Sequence, residues 1–265
     1  MVETGLMPIC LHSKRDIAAF LRRDIFLHLY ELGDLDDFFW NYTIWYALPE
    51  NHQIKQLVLF YTQAHLPVLL GLTKDIDSLK DLLRSILHLL PKRFYAHLSG
   101  DAIEVFAEDY QVRSHGSHSK MALTNPMYLD TVDSLNIMPL TGADAPALKE
   151  LYQASYPGNW FEPRMLQTKQ YFGIKQGLQL ISVAGVHTYS PEFSVATLGN
   201  ITTHPAFRNQ GLGKAVSTQL CRSLLQTVQH IGLNVRTDNA AAISCYTKLG
   251  FEVVATYEEY ALELK

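Results

Sequence analysis

The stretch Thr202-Thr203-His204-Pro205-Ala206-Phe207-Arg208-Asn209-Gln210-Gly211-Leu212-Gly213-Lys214 constrains this chain more than any other. Before it, Leu198 and Ile201 stand among polar residues in a short, strand-like run. After it, Leu212, Val216, Leu220, Leu224 and Val228 recur every four residues, the mark of one face of a long helix. A strand therefore runs into a turn carrying two glycines one residue apart, and the turn opens a helix. There the helix's unpaired N–H groups and positive dipole end converge on one point, and glycine lets an anion approach the backbone. The pattern predicts a phosphate-binding turn. It is neither a P-loop, which ends in Lys-Ser/Thr, nor the G-x-G-x-x-G of a dinucleotide fold.

Composition sets the frame around that turn. With 265 residues, 48% of them hydrophobic and 18% charged, the chain can bury a sizeable core and fits one large domain or two ordinary ones. A net charge of −4 argues against general nucleic-acid binding, which needs a basic face. Cys10, Cys221 and Cys245 are few, odd in number and far apart, so they read as reduced thiols of a cytoplasmic protein. Residues 1–5 carry an early acid and no basic start, unlike a secretory signal. No apolar run has the length of a membrane span.

In the first half, helical spacing over 14–30 follows a Ser13 cap, and Gly33 breaks it. Asp34, Asp36 and Asp37 read as a turn and helix cap rather than a cation site. Strands are expected over 38–48, 53–62 and 66–72, the last two joined by Gln63-Ala64-His65. A helix over 76–90 closes at Pro91, then come a strand over 93–98 and a short helix from 100 towards 110. The stretch onward to 130 is aperiodic and holds His115 and His118. Two histidines in a Ser/Gly-rich loop, with no carboxylate or cysteine nearby, read as solvated residues and not as zinc ligands.

Periodicity restarts past a boundary at 130–135. Expected there are a strand over 137–140, a helix over 144–154, the aromatic loop Tyr156-Pro157-Gly158-Asn159-Trp160-Phe161 and a short helix over 164–168. Strands over 171–175, 179–188 and 195–203 lead into the glycine turn. Beyond its helix follow a strand over 233–237, a helix over 239–249 stopped by Gly250, and strands over 251–257 and 260–264.

Arg208-Asn209-Gln210-Gly211-Leu212-Gly213 resembles the Q/R-x-x-G-x-G/A signature of the GCN5-related N-acetyltransferases (GNAT), and Asn239-x-x-Ala242-x-x-x-Tyr246-x-Lys248-Leu249-Gly250-Phe251 resembles that family's second signature. The likeness covers about residues 135–265, including the order of strands and helices. Around Gly199-Asn200-Ile201-Thr202-Thr203-His204-Pro205 it is most similar to the glycine N-acyltransferase-like branch. The resemblance implies an α+β GNAT fold, a mixed and mostly antiparallel sheet flanked by helices. It also implies two domains, a diverged GNAT-like one over 1–130 and a catalytic one over 135–265.

The resemblance implies acetyl-CoA, or another acyl-CoA, as co-substrate and no metal. Its pyrophosphate would meet the backbone N–H groups of Asn209, Gln210, Gly211, Leu212, Gly213 and Lys214, with Arg208 either serving a phosphate or holding the turn. The backbone of Ile201, Thr202 and Thr203 would pair with the amide-rich pantetheine arm, as an added strand does. Asn239 reads as a helix cap, and the family adds a hydrogen bond to the cofactor arm. Tyr246 would return a proton to the departing thiolate; a core tyrosine is the bland alternative. Relatives place a glutamate or histidines on the central strand as base, but the matching positions here are Thr197 and Gly199. The base is therefore open among His187, Glu192, His204, Glu162 and a water. Covalent catalysis by Cys245 is set aside, because neighbours on a helix face different ways. The implied activity is N-acyl transfer to a small amine, amino acid or peptide end, with a non-catalytic CoA-binding module as the alternative. Neither nucleic acid nor membrane is implied as partner, and oligomeric state is not legible.

Overall fold

Ser13 starts the first helix, α1 (Lys14–Leu21), by accepting the Asp16 amide at 3.3 Å with its hydroxyl. In this computed structural model, which describes residues 7–51, 53–63, 66–129 and 136–265, the helical spacing over 14–30 does not run unbroken. A 3-10 turn at Arg22–Asp24 precedes α2 (Leu29–Gly33), which keeps Gly33 inside the helix. Asp36 then caps α3 (Asp37–Trp40) through the Phe38 amide, so the aromatic run begins as helix and becomes strand only at Thr43. The cap outweighs a β preference that depends on context. Residues 1–5, the Ala64-His65 part of the expected turn and the expected boundary at 130–135 lie outside the described residues.

Contacts divide the chain into two units, residues 1–120 with 236–238 and 254–265, and residues 121–235 with 239–253. In the first, strands β1 (Ile9–Leu11), β2 (Thr43–Glu50), β3 (Gln53–Tyr61), β4 (Val68–Gly71) and β5 (Arg93–Leu98) pair in that order. All pairings are antiparallel except β4 with β5, which run parallel around helix α4 (Ile76–Ile86). Leu79, Leu82, Leu83 and Ile86 of α4 join Val58, Leu69, Phe94 and Leu98 of the sheet in one core. The chain leaves this unit along β6 (Tyr110–Leu123), a strand where the sequence reads as an aperiodic loop. Its first half is polar and exposed, so no apolar alternation reaches the sequence. His115 and His118 are therefore strand residues. The His118 ring stacks on Tyr257 at 5.6 Å, and His118 and His97 each approach Glu259 Oε1, at 3.6 and 3.5 Å.

The second unit contains β7 (Ile137–Pro139), α5 (Ala145–Ser155), β8 (Phe172–Gln176), β9 (Gln179–Ser190), β10 (Val195–Thr203), α6 (Leu212–Leu224), β11 (His230–Arg236) and α7 (Ala240–Thr247). Its strands pair in the order β7-β8-β9-β10-β11, antiparallel apart from β10 with β11. The four-residue repeat of α6 buries Leu212, Val216, Leu220 and Leu224 against Val183, Val186, Leu198 and Leu233. Gly250 stands at φ 91 directly on the Asn125 carbonyl, where a side chain would collide, and its own carbonyl accepts the Thr124 and Asn125 amides. The closing strand β12 (Phe251–Leu264) is continuous, not two strands. From residue 254 it belongs to the first unit, where Glu258–Glu263 pair antiparallel with β5.

Candidate functional site

Strands β10 and β11 start together and then part. Their parallel ladder joins Val195, Ala196, Thr197 and Leu198 to His230, Ile231, Gly232 and Leu233 and stops there, although β10 continues to Thr203 and β11 to Arg236. On its other side β10 stays with β9, with register shifts between Thr197 and Leu198 and between Gly199 and Thr202. Inside the second shift Asn200 adopts φ 54, in the left-handed region where Asn is among the better-tolerated side chains. Residues 199–203 are thus left without a β11 partner in the ladder, which exposes the backbone of Ile201, Thr202 and Thr203 to another pairing strand. The Ile201 side chain itself packs on the core.

A buried hydrogen-bond chain holds this bulge. The Tyr152 hydroxyl donates to the Asn200 carbonyl at 2.8 Å, and Asn200 Nδ2 donates to the Tyr171 hydroxyl at 3.1 Å. Tyr171 in turn donates to the Val186 carbonyl at 3.0 Å. Burial pushes both phenols well above their usual range, so they stay protonated donors. Phe161 of the aromatic loop packs against both rings, at 5.2 and 5.8 Å, whereas Tyr156 and Trp160 stay 43% exposed. Sequence reasoning missed Tyr152, Tyr171 and Asn200. The two tyrosines look like core residues in a pattern, but an asparagine within a strand-like run was a usable sign.

Beyond the strand, His204 Nδ1 accepts the Ala206 amide and caps the turn Pro205–Phe207. Asn209 at φ 63 and Gly211 at φ 77 reverse the backbone, and α6 begins without any side-chain cap. Nothing lies within 4 Å of where a Cβ on Gly211 would stand, so the residue that opens the helix borders open space. Arg208 donates from Nε to the Thr203 carbonyl at 3.3 Å and from Nη2 to the Ser155 carbonyl at 3.4 Å. These two bonds tie the turn to the end of β10 and to the end of α5. Asn209 and Gln210 are exposed, Gly213 and Lys214 half-buried.

Asn239 caps α7 by accepting the Ala242 amide at 3.2 Å. Tyr246, half-buried on α7, lies 5.9 Å from the Phe251 ring, and burial raises its hydroxyl pKa. The hydroxyl therefore stays protonated. Burial also raises the Cys245 thiol, which opposes the thiolate a covalent route would need. Among the open candidates for base, Glu162 is held by Arg164 at 3.0 Å, and His204 is the cap just described. Glu192 is exposed in the β9–β10 turn, at the end of β10 away from the bulge. Thr197 has its hydroxyl buried against the Thr188 amide and hydroxyl. His187 alone reaches the bulge, where its ring lies across Gly199.

The family described as FR47-like protein matches residues 171–260, the span from β8 to β12. Over 129 residues the chain is 32% identical to the ribosomal protein bS18-alanine N-acetyltransferase of Escherichia coli, covering 47% of this chain and 85% of that one. Over 147 residues it is 31% identical to the N-alpha-acetyltransferase RimI of Mycobacterium tuberculosis, covering 51% and 88%. The chain belongs to the GCN5-related N-acetyltransferase superfamily. A Drosophila protein of known structure shares this fold, with a TM-score of 0.71 at 13% identity over 97% of this chain and 99% of that one. A putative GNAT-family acetyltransferase from Novosphingobium aromaticivorans gives 0.58 at 17% over 78% and 88%. At such identities the likeness is one of fold. Acetyl-CoA is the co-substrate of the superfamily, and the parted strands and the uncapped helix are the backbone features of this N-acetyltransferase on which its proposed binding rests. No helix among the described residues is long and apolar enough to cross a membrane.

Proposed function

We propose that this protein moves acetyl from acetyl-CoA to the α-amine of a peptide chain by direct attack on the thioester. The observation that carries the reading is the parting of β10 from β11 beside the uncapped start of α6. In this reading the catalytic domain expected over 135–265 lends residues 254–265 to the first unit, and residues 1–130 form a diverged GNAT-like domain. The peptide acceptor is drawn from the two curated relatives, one named for an alanine acceptor on a ribosomal protein and the other as an N-alpha-acetyltransferase.

Each residue then has a stated task. The N–H groups from Asn209 to Lys214 receive the pyrophosphate, where the helix dipole favours negative charge. The backbone of Ile201, Thr202 and Thr203 pairs with the amides of the pantetheine arm and fixes its depth. Asn239 holds α7 and offers its carboxamide to the same arm. Tyr246 gives its proton to the leaving sulfur, and for that it needs only hydrogen-bond reach. Acetyl-CoA supplies the activated acyl group. The three free thiols, with Cys221 buried, suit a reducing cytoplasm.

A second reading keeps the chemistry and changes the acceptor. The pattern from Gly199 to Pro205 is similar to the glycine N-acyltransferase-like branch, which favours a free amino acid and allows longer acyl groups. Thiol release from acetyl-CoA, followed over peptides with free N-termini, free amino acids and simple amines, separates the two. Turnover with a peptide α-amine is the expected result. Calorimetric binding of acetyl-CoA with no thiol release on any acceptor would replace the enzyme with a CoA-binding module.

A further inference from the structure

Two polar groups of the second unit stand at the point where β10 leaves β11, and the roles above do not use them. The first is His187. Its ring lies across Gly199 so closely that a Cβ there would collide with it, and Gly199 is the first β10 residue beyond the ladder. The second is Asn234, the residue on β11 just after Leu233, whose ladder partner is Leu198. Asn234 and Gly199 are each the first residue past that last pair, on the strands as they part. Side chains alternate along strands, so Asn234 projects to the face on which His187 covers Gly199. Asn234 Oδ1 is buried and has no hydrogen-bond partner among the described residues. A buried acceptor left so carries a desolvation cost that an N–H donor from a ligand would offset.

We propose that His187 is the general base of this site and that Asn234 Oδ1 accepts an N–H of the incoming amine. This rests on the acetyl-transfer reading above. The positions that a strand glutamate or histidines would fill in relatives are Thr197 and Gly199 here, and the His187 imidazole reaches the space over Gly199 from the neighbouring strand. At neutral pH an alkyl amine arrives largely as ammonium, with no lone pair to attack. One imidazole nitrogen of His187 takes a proton from it, while Asn234 Oδ1 holds a second N–H and aims the nitrogen. The nitrogen–carbon bond forms at the thioester carbonyl, and the carbon–sulfur bond breaks with its electron pair leaving on sulfur. Tyr246 protonates that sulfur, and the second proton lost by the nitrogen restores the Tyr246 hydroxyl. His187 passes its proton to solvent. The sum is ammonium plus thioester giving amide, free thiol and one proton.

The test compares acceptors on the full chain at neutral pH. With a peptide α-amine, about a tenth of it already neutral at pH 7, His187→Gln should lower kcat/KM about 10-fold, whereas an aniline-type or hydrazide acceptor, neutral on arrival, should lose no more than about twofold. Acetyl-CoA affinity by calorimetry should stay within about twofold of wild type, a change too small for a disturbed β10. Asn234→Ala should raise KM for the peptide more than it lowers kcat. Because the ring also packs on Gly199, His187→Ala is assayed with added imidazole, and recovery of turnover with the peptide supports the base. Equal losses for both acceptor types, or no imidazole recovery, would make His187 a packing residue and overturn the proposal. If the wild-type enzyme turned over no acceptor at all, the acetyl-transfer reading itself would fall and this proposal with it.

Discussion

The molecule builds the same strand–helix–strand connection twice and uses it in two ways. In the first unit, β4 and β5 run parallel around α4 and stay paired to their ends, with Gly71 opposite Leu98. Past the ends, the Ser99 amide still reaches the Gly71 carbonyl at 3.1 Å, and Ser99 Oγ accepts the Thr73 amide at 3.0 Å. In the second unit, β10 and β11 run parallel around α6 but separate after Leu198. The helix starts differ in the same sense. Asp75 puts a carboxylate on the first turn of α4, accepting the Ser78 amide at 3.1 Å and the Ser78 hydroxyl at 2.7 Å. No side chain does this for α6, which Gly211 opens in a left-handed conformation. A cavity of about 280 Å³ sits beside Thr73, Lys74, Ser99 and Gly100, but Lys74 is already paired with Asp24 at 2.6 Å. The topology therefore does not make a phosphate site. In the proposed reading a bulge that opens the ladder and a helix start without its own anion make one, and β4, β5 and α4 show neither.

The comparison can be broken most severely at Gly211. Gly211→Glu places at the α6 start the charge that Asp75 places at α4, and calorimetry should then show acetyl-CoA affinity reduced by more than about 100-fold. The left-handed backbone at φ 77 adds a stability cost of roughly 1 kcal/mol. Unchanged affinity in a folded variant would remove the pyrophosphate from this turn. Tyr246→Phe probes the chemistry instead of the cradle: kcat should drop about 100-fold while acetyl-CoA affinity hardly moves. A parallel fall in affinity would demote Tyr246 to packing.

A smaller effect is expected at the bulge. Tyr152→Phe leaves the Asn200 carbonyl without its 2.8 Å donor, which should cost about 1–3 kcal/mol in denaturant unfolding and weaken acetyl-CoA binding several-fold. Loss of stability without loss of binding would mean that the parted strands hold their shape without the tyrosine. The smallest effect on function belongs to the first unit. Asp75→Ala removes a cap worth about 1 kcal/mol and should leave acetyl-CoA binding at one site per chain. The hydrogen bonds from Ser78 hold the Asp75 carboxyl below its usual range in the folded state. Its contribution is thus present above the unfolded carboxyl's pKa of about 4 and is lost as pH falls through the lower folded value. In Asp75→Ala that acid-side part of the stability profile should flatten, and a second acetyl-CoA bound by this variant would show that the cap alone had closed the first unit.

Much of this contrast was legible in the residues. Gly211, Gly213 and the apolar repeat from Leu212 marked the α6 start, and Ser13, Asp36 and Asn239 were readable as caps because capping depends on neighbours a few positions away. Where local signals competed, reading failed. The aromatic run after Asp36 looked like strand and begins as α3, and β6 looked like loop because its exposed half carries no apolar alternation. The single strand β12 was misread for the same reason, since pairing partners far along the chain decide whether a local break is obeyed.

The sequence by itself determined the helix that presents its N–H groups, the turn that exposes them and the tyrosine on α7, all features written within short windows. Tertiary structure alone decided the rest. It set where the β10–β11 ladder stops, which unit takes residues 254–265, and that Arg208 is spent on two carbonyls. It also laid the His187 ring over Gly199, from a strand whose register no local pattern encodes. The physical reason is range: caps and glycine conformations act through adjacent residues, whereas register, strand parting and the space over a glycine depend on partners brought together only by folding.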